Sequence, residues 1–293
     1  MKSKFSKALV AGLCICVTMG LASCGQSAKT EKKYEKIVAT SVATTEILDR
    51  LEVDNVVGIP ESKIYKISDR YKNAKKIGKP MSPDVEVISS LKPDLVLGPK
   101  SLEASLKEKY DSAGLKSEFL DLSSVEGLYD SVTKVGKLLG KEKQAEKLVK
   151  EYKDKIAKIN ERAKGKKKPR VLLLMGVPGS YLAATESSYV GNLVKLAGGE
   201  NVYGDGNGTD FLKANTEDML QKKPDVILRA SHGLPKQVME MFKKEFATND
   251  IWKHFDAVKN GRVYDLNNDE FGMSASFKYE DALKTLEKFL FPK

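Results

Sequence analysis

Residues Glu86-Val87-Ile88-Ser89-Ser90-Leu91-Lys92-Pro93-Asp94-Leu95-Val96-Leu97 lie without a gap on Glu217-Asp218-Met219-Leu220-Gln221-Lys222-Lys223-Pro224-Asp225-Val226-Ile227-Leu228. The Glu, the Lys-Pro-Asp run and the final Leu coincide. Each copy reads as a short helix, stopped by a proline turn, that feeds a buried strand. A chain that carries this unit twice is constrained towards two similar α/β halves.

Apolar runs elsewhere agree. The first half holds Ile37-Val38-Ala39-Thr40 and Val56-Val57-Gly58-Ile59, with a helical pattern at residues 46–51. The second holds Arg170-Val171-Leu172-Leu173-Leu174-Met175 and Arg262-Val263-Tyr264-Asp265-Leu266. Continuous apolar runs alternating with helices predict parallel sheets covered on both faces. The lobes are expected at residues 36–138 and 169–293. Residues 139–168 connect them. Ala145, Leu148, Val149, Tyr152, Ile156 and Ile159 fall there at helical spacing, and Lys166-Lys167-Lys168-Pro169 closes the segment. The spacing predicts one long rigid helix joining the lobes. The expected class is α/β: two Rossmann-like lobes, one linking helix and a ligand cleft between them.

The N-terminus is a targeting segment. Lys2, Lys4 and Lys7 precede an uncharged apolar run at residues 8–21. That run is too short for a spanning helix, which needs about 20 apolar residues, and reads as a signal peptide over residues 1–23. It ends Leu21-Ala22-Ser23-Cys24, which matches the bacterial lipobox. Diacylglycerol would be attached at the Cys24 thiol and the chain cut just before it. Cys14 and Cys16 fall in the removed part, so no disulfide is available within the mature chain. Residues 24–35 read as a lipidated, flexible tether. The chain is then anchored to the cell membrane on its outer face rather than spanning it.

The whole chain has net charge +10, and removing Lys2, Lys4 and Lys7 leaves +7. Such a surplus serves solubility, faces an anionic bilayer or attracts an anionic ligand. Nucleic acid is not an expected partner of an exported lipoprotein.

Leu91-Lys92-Pro93-Asp94-Leu95-Val96 resembles the hallmark of the binding proteins that serve siderophore, cobalamin and haem importers of the ABC type. The resemblance covers nearly all of the mature chain. It implies a shallow cleft between two lobes, and one Glu per lobe docked on the membrane permease. Matched motif to motif, those are Glu86 and Glu217. Two well-separated carboxylates give an electrostatic register for docking; alone, each also suits the first turn of a helix.

Ile77-Gly78-Lys79-Pro80-Met81, Met175-Gly176-Val177-Pro178-Gly179-Ser180-Tyr181 and Asn249-Asp250-Ile251-Trp252-Lys253-His254-Phe255 are similar to the IsdE-type haem receptor lipoproteins of Gram-positive uptake systems. That resemblance implies haem b as cargo, with iron held by Met81 from the first lobe and His232 from the second. It further implies an ABC permease and its ATPase as partners, cell-surface haem carriers upstream, and action as a monomer. Imidazole plus thioether fills both axial positions of low-spin haem iron, which suits carriage rather than oxygen chemistry.

The residues have their own reading. Met81 precedes Ser82-Pro83-Asp84, a helix start with Ser82 as cap. In that place a Met also fits a hydrophobic staple. His232 follows the strand at Leu228 in a Gly/Pro loop, where open α/β sheets bind ligands. His254 reads as part of an amphipathic structural segment. For the propionates, the helix start at Ser41-Val42-Ala43-Thr44-Thr45 is a candidate, and Tyr65 or Lys66, and Tyr181, are candidate lining residues.

A ferric siderophore or cobalamin on the same fold is the nearest alternative. Zinc or manganese sites need several His and carboxylates together, and the chain has two scattered histidines. An exported enzyme is not expected: Gly176-Val177-Pro178-Gly179-Ser180 is no nucleophile elbow, and Gly204-Asp205-Gly206-Asn207-Gly208 lacks the Lys-Ser/Thr of a phosphate loop.

Overall fold

Both sheets put alternate side chains of their central strands into two different apolar layers. The computed structural model describes residues 34–292 apart from residues 63, 64, 164, 166 and 214. The signal peptide, Cys24 and most of the tether lie outside the described residues.

In the first half, β1 (Ile37–Ala39) leads to α1 (Val42–Arg50), β2 (Val56–Ile59) and β3 (Lys75–Lys76). A two-stranded hairpin, β4 (Gly78–Lys79) and β5 (Ser82–Pro83), precedes α2 (Val85–Ser90). Then come β6 (Leu95–Pro99), α3 (Glu103–Ser112), β7 (Ser117–Leu120) and α4 (Val125–Leu139). The strands pair in parallel in the order β3-β2-β1-β6-β7. As predicted, the sheet is covered on both faces. Ile37, Ala39, Leu95 and Leu97 enter one buried cluster, while Val38 and Val96 enter another with Ile88 and Tyr110.

Helix α5 (Glu142–Ala163) follows Gly140, whose φ of 65° closes α4 in the left-handed conformation. Its predicted apolar stripe is inward: Ala145 and Tyr152 are buried, and Leu148, Val149, Ile156 and Ile159 pack against the same core. Tyr152 stacks on Tyr129 of α4 at 4.3 Å between ring centroids.

The second half contains β8 (Arg170–Val177), β9 (Ser180–Ala184), α6 (Tyr189–Leu196), β10 (Glu200–Asn201), β11 (Phe211–Lys213), α7 (Thr216–Gln221) and β12 (Val226–Ser231). It ends with α8 (Pro235–Thr248), α9 (Asp256–Lys259), β13 (Val263–Asp265) and α10 (Tyr279–Leu290). Its sheet runs β11-β9-β8-β12-β13, with β10 also on β8. This sheet departs from the all-parallel expectation. Pro178-Gly179, with Gly179 at φ +83°, turns β8 directly into an antiparallel β9, and β11 is antiparallel to β9 in turn.

The repeat has a backbone basis. Asp84 and Asn215 cap α2 and α7, each accepting from the N–H three residues on at 3.0 Å. Lys92 and Lys223 then both take φ +49°. Asp94 Oδ2 accepts from Glu35 and Lys36 N–H at the start of β1, and Asp225 Oδ2 from Arg170 N–H at the start of β8. The Lys-Pro-Asp run is therefore a turn that pins each new strand beside the first strand of its lobe.

Both lobes belong to one compact unit. Val171, Leu173, Met175 and Leu228 lie in the same buried cluster as Ile37, Ala39, Leu95 and Leu97. The opposite face of the second sheet forms its own cluster of Leu172, Leu174, Ile227, Val238, Phe242 and Trp252. Tyr279 of α10 meets both Tyr129 and Tyr152 edge-on at 6.1 Å, so α5 is packed against both halves.

Candidate functional site

Met81 stands at the tip of the β4–β5 hairpin, with Pro80 as the other loop residue. Gly78, at φ +89°, starts the hairpin, and a Cβ there would lie 3.3 Å from both Ser82 O and Asp84 N. Ile77 anchors it: Ile77 is fully buried, and its carbonyl accepts from Asp84 N–H at 2.8 Å. Ser82 is thus a strand residue. The cap of α2 is Asp84, two residues later than expected. Met81 is 71% exposed, the most exposed large apolar residue among the described residues.

His232 directly follows β12, which runs on to Ser231, three residues beyond the expected end at Leu228. Register pairs Ala230 with Met175 and Ser231 with Gly176, and His232 N–H donates to Gly176 O at 2.8 Å. Gly233 (φ +71°) and Leu234 (φ +39°) are both left-handed, and Pro235 opens α8. A left-handed Leu costs about 1–2 kcal/mol, and here it is also 56% exposed. Gly176 is required because α8 packs so close: a Cβ there would fall 2.3 Å from Val238 Cγ1. The imidazole is exposed at the C-terminal end of a parallel strand.

A cavity of about 320 Å³ opens between the lobes. Lys100 and Asp121, which follow β6 and β7, line one side. Met175, Asp210 and Met273 line the other. Met81 and His232 do not line it, but Met175 is the register partner of Ala230, two residues before His232. Hydrogen bonds from Ser123 hold the Asp121 carboxyl below its ordinary range against the effect of burial, and Lys100 adds to this. Burial pushes Asp210 up, and the charge of Asp121 adds to it.

The segment between β13 and α10 crosses to the first lobe. Ala275 N–H donates to Leu122 O at 2.8 Å, and Phe277 N–H to Glu46 Oε2 at 3.3 Å. Tyr65 reaches the other way, its hydroxyl donating to Asn268 O at 2.9 Å. Tyr65 is thus a bridge between lobes, and Lys66 pairs with Asp69 beside it.

The start of α1 is largely self-satisfied. Ser41 and Thr44 form a reciprocal capping box, and the Ser41 carbonyl accepts from Thr45. Tyr181 lies elsewhere. It packs on Phe242 and Trp252 on the far face of the second sheet and donates to Glu245 at 3.0 Å. His254 is an exposed residue of the turn at Asp250–His254, whose Trp252 is buried. Glu86 and Glu217 are both exposed in the first turns of the equivalent helices α2 and α7, and neither makes an ion pair among the described residues.

Lys100 and Asp121 were open to sequence reasoning as residues just past strand ends. Asp210, Asn268 and Met273 carried no such signal. Among the described residues no group of three or more His, Cys, Asp or Glu is placed to hold a metal ion, and no helix is long and apolar enough to cross a membrane.

A model of the periplasmic binding protein family matches residues 37–270. The chain belongs to that family. As a periplasmic binding protein it is 44% identical over 273 residues to the high-affinity heme uptake system protein IsdE of Staphylococcus aureus, covering 91% of each chain. It also superposes on an ABC transporter substrate-binding protein from Listeria monocytogenes EGD-e. That match has a TM-score of 0.84 and 50% identity, over 89% of this chain and 100% of that one. Against S. aureus IsdE complexed with heme, this periplasmic binding protein gives a TM-score of 0.80 and 43% identity, over 87% and 98% of the two chains.

Proposed function

We propose that this chain captures haem b outside the cell membrane and delivers it to an ABC permease for iron acquisition, with Met81 and His232 as the axial iron ligands. The carrying observation is one exposed soft or imidazole donor per lobe: a thioether at a hairpin tip, and an imidazole at a strand end. Filling both axial positions leaves the iron no open site for chemistry, so the chain acts as a carrier and not as an enzyme. Exposed Met81, Leu234 and Met273 are apolar surface suited to a macrocycle. Likeness to IsdE and to its heme complex supports the same reading.

Around that site, residues 36–138 and 169–293 serve as the lobes and residues 139–168 as the link. Cys24 carries the lipid that holds the protein at the extracytoplasmic face of the membrane. Glu86 and Glu217 dock the permease, whose ATPase drives transport. The protein works as a monomer loaded by cell-surface haem carriers.

The test is a spectrum. Purified protein with haem is expected to give a sharp low-spin Soret band, which Met81→Ala and His232→Ala each change. No spectral change on adding haem, together with tight binding of a ferric siderophore or cobalamin, overturns the reading. Trp252 is fully buried on the far face of the second sheet, so those rivals are best detected by calorimetry rather than by its fluorescence.

A further inference from the structure

A histidine that binds a metal is normally aimed by a hydrogen bond from its second ring nitrogen to a carboxylate, carbonyl or water. Among the described residues, nothing hydrogen-bonds to the His232 ring. What the structure does fix is the backbone that carries the ring. Two anchors hold that backbone. One is His232 N–H on Gly176 O at 2.8 Å. The other is the preceding residue: the Ser231 hydroxyl, 3% exposed, donates to Asn268 Oδ1.

Asn268 is held in its own right. It lies just after β13, where Leu266 N–H donates to Arg229 O at 2.8 Å and Phe271 N–H to Asn267 O at 2.9 Å. Its main-chain carbonyl accepts from the Tyr65 hydroxyl of the first lobe at 2.9 Å. The same residue thus grips the strand end before His232 with its side chain and the first lobe with its backbone. Gly233 and Leu234, both left-handed, follow at once and turn the chain away into α8.

We propose that Asn268 is a positioning residue for His232. It fixes the strand end through Ser231 and references it to the first lobe through Tyr65, so that the imidazole meets an iron held from the other side by Met81. This rests on the haem reading above.

The experiment compares the haem complexes of the wild-type chain, Asn268→Ala, Asn268→Asp, Ser231→Ala and His232→Ala. Spin state is read by absorption and electron paramagnetic resonance, and haem loss by transfer to apomyoglobin. Asn268→Ala and Ser231→Ala delete the same bond. Each is expected to show a high-spin fraction and to lose haem roughly 10–100-fold faster. Asn268→Asp keeps an acceptor for Ser231 and is expected to stay low-spin. If Asn268→Ala does not fold, Ser231→Ala and Asn268→Asp carry the comparison. Wild-type spectra and rates in Ser231→Ala, alongside a changed His232→Ala, overturn the proposal. A wild-type chain that takes up no haem, or a His232→Ala variant with an unaltered spectrum, overturns the haem reading instead.

Discussion

Lys92 and Lys223 share one backbone conformation, φ +49°, at the same point of the two lobes: between a capped six-residue helix and the proline that starts a buried strand. Left-handed geometry at a non-glycine costs about 1–2 kcal/mol, and glycine adopts it freely at an entropic cost of about 0.5–1 kcal/mol. Lys92→Gly or Lys223→Gly is therefore expected to raise stability by up to about 1 kcal/mol. Lys92→Val or Lys223→Val should lower it by about 1–2 kcal/mol or more. Urea denaturation checks this, and equal effects of Gly and Val would refute it.

Tyr152 joins the linking helix to both halves through Tyr129 and Tyr279. Tyr152→Ala is expected to cost about 3 kcal/mol or more, as for other buried aromatic truncations. Tyr152→Phe keeps the stacking and should cost under about 1 kcal/mol. A small loss in the Ala variant by chemical denaturation would show that α5 is held mainly by its aliphatic stripe.

Glu46 is a carboxylate that accepts across the lobes, from Phe277 N–H. Burial raises its pKa; the Phe277 N–H, Arg50 and Lys278 pull it back, and Asp49 adds to the rise. A folded-state pKa above the unfolded one means that folding takes up a proton as pH falls. The destabilisation is full above the folded pKa and is gone below the unfolded one. Glu46→Gln removes the charge and keeps an acceptor for Phe277. Its melting temperature is expected to exceed wild type near pH 7 and by less near pH 4. A gain that is the same at both pH values contradicts this.

Glu86 and Glu217 are exposed and unpaired among the described residues. Exposed charge pairs contribute only about 0.2–1 kcal/mol each, so in the proposed docking role their value would lie in orientation. The double variant Glu86→Ala/Glu217→Ala is expected to abolish haem uptake by cells while purified protein keeps its Soret band. Loss of haem binding in that variant removes both from a docking role.

The parts of the fold with a long local signal were readable in the sequence. Val56–Ile59 was placed to the residue, and the stripe from Ala145 to Ile159 located the linking helix. Short or tertiary features were not. Strands of two residues, such as Gly78–Lys79 and Ser82–Pro83, leave no periodicity to see, so Ser82 was read as a cap. In Pro178-Gly179 the turn was visible as a loop, but not that it reverses the strand into the sheet. Of the candidate site, Met81 and His232 were proposed from resemblance and from their neighbouring turns. Asn268 and Met273 were not, because their loop reaches the first lobe only through contacts such as Ala275 on Leu122.

The inner faces of the two sheets lie in one apolar cluster. Swinging the halves apart would wet that layer at about 2.5 kcal/mol for each 100 Å² exposed. A carrier built this way has no large stroke with which to report its load. With Met81 and His232 as the proposed ligands, empty and filled molecules are expected to differ mainly at the edges, in the hairpin of Met81 and the turn of His232. Whatever distinguishes them has to touch those edges, and whatever empties the mouth has to pry there.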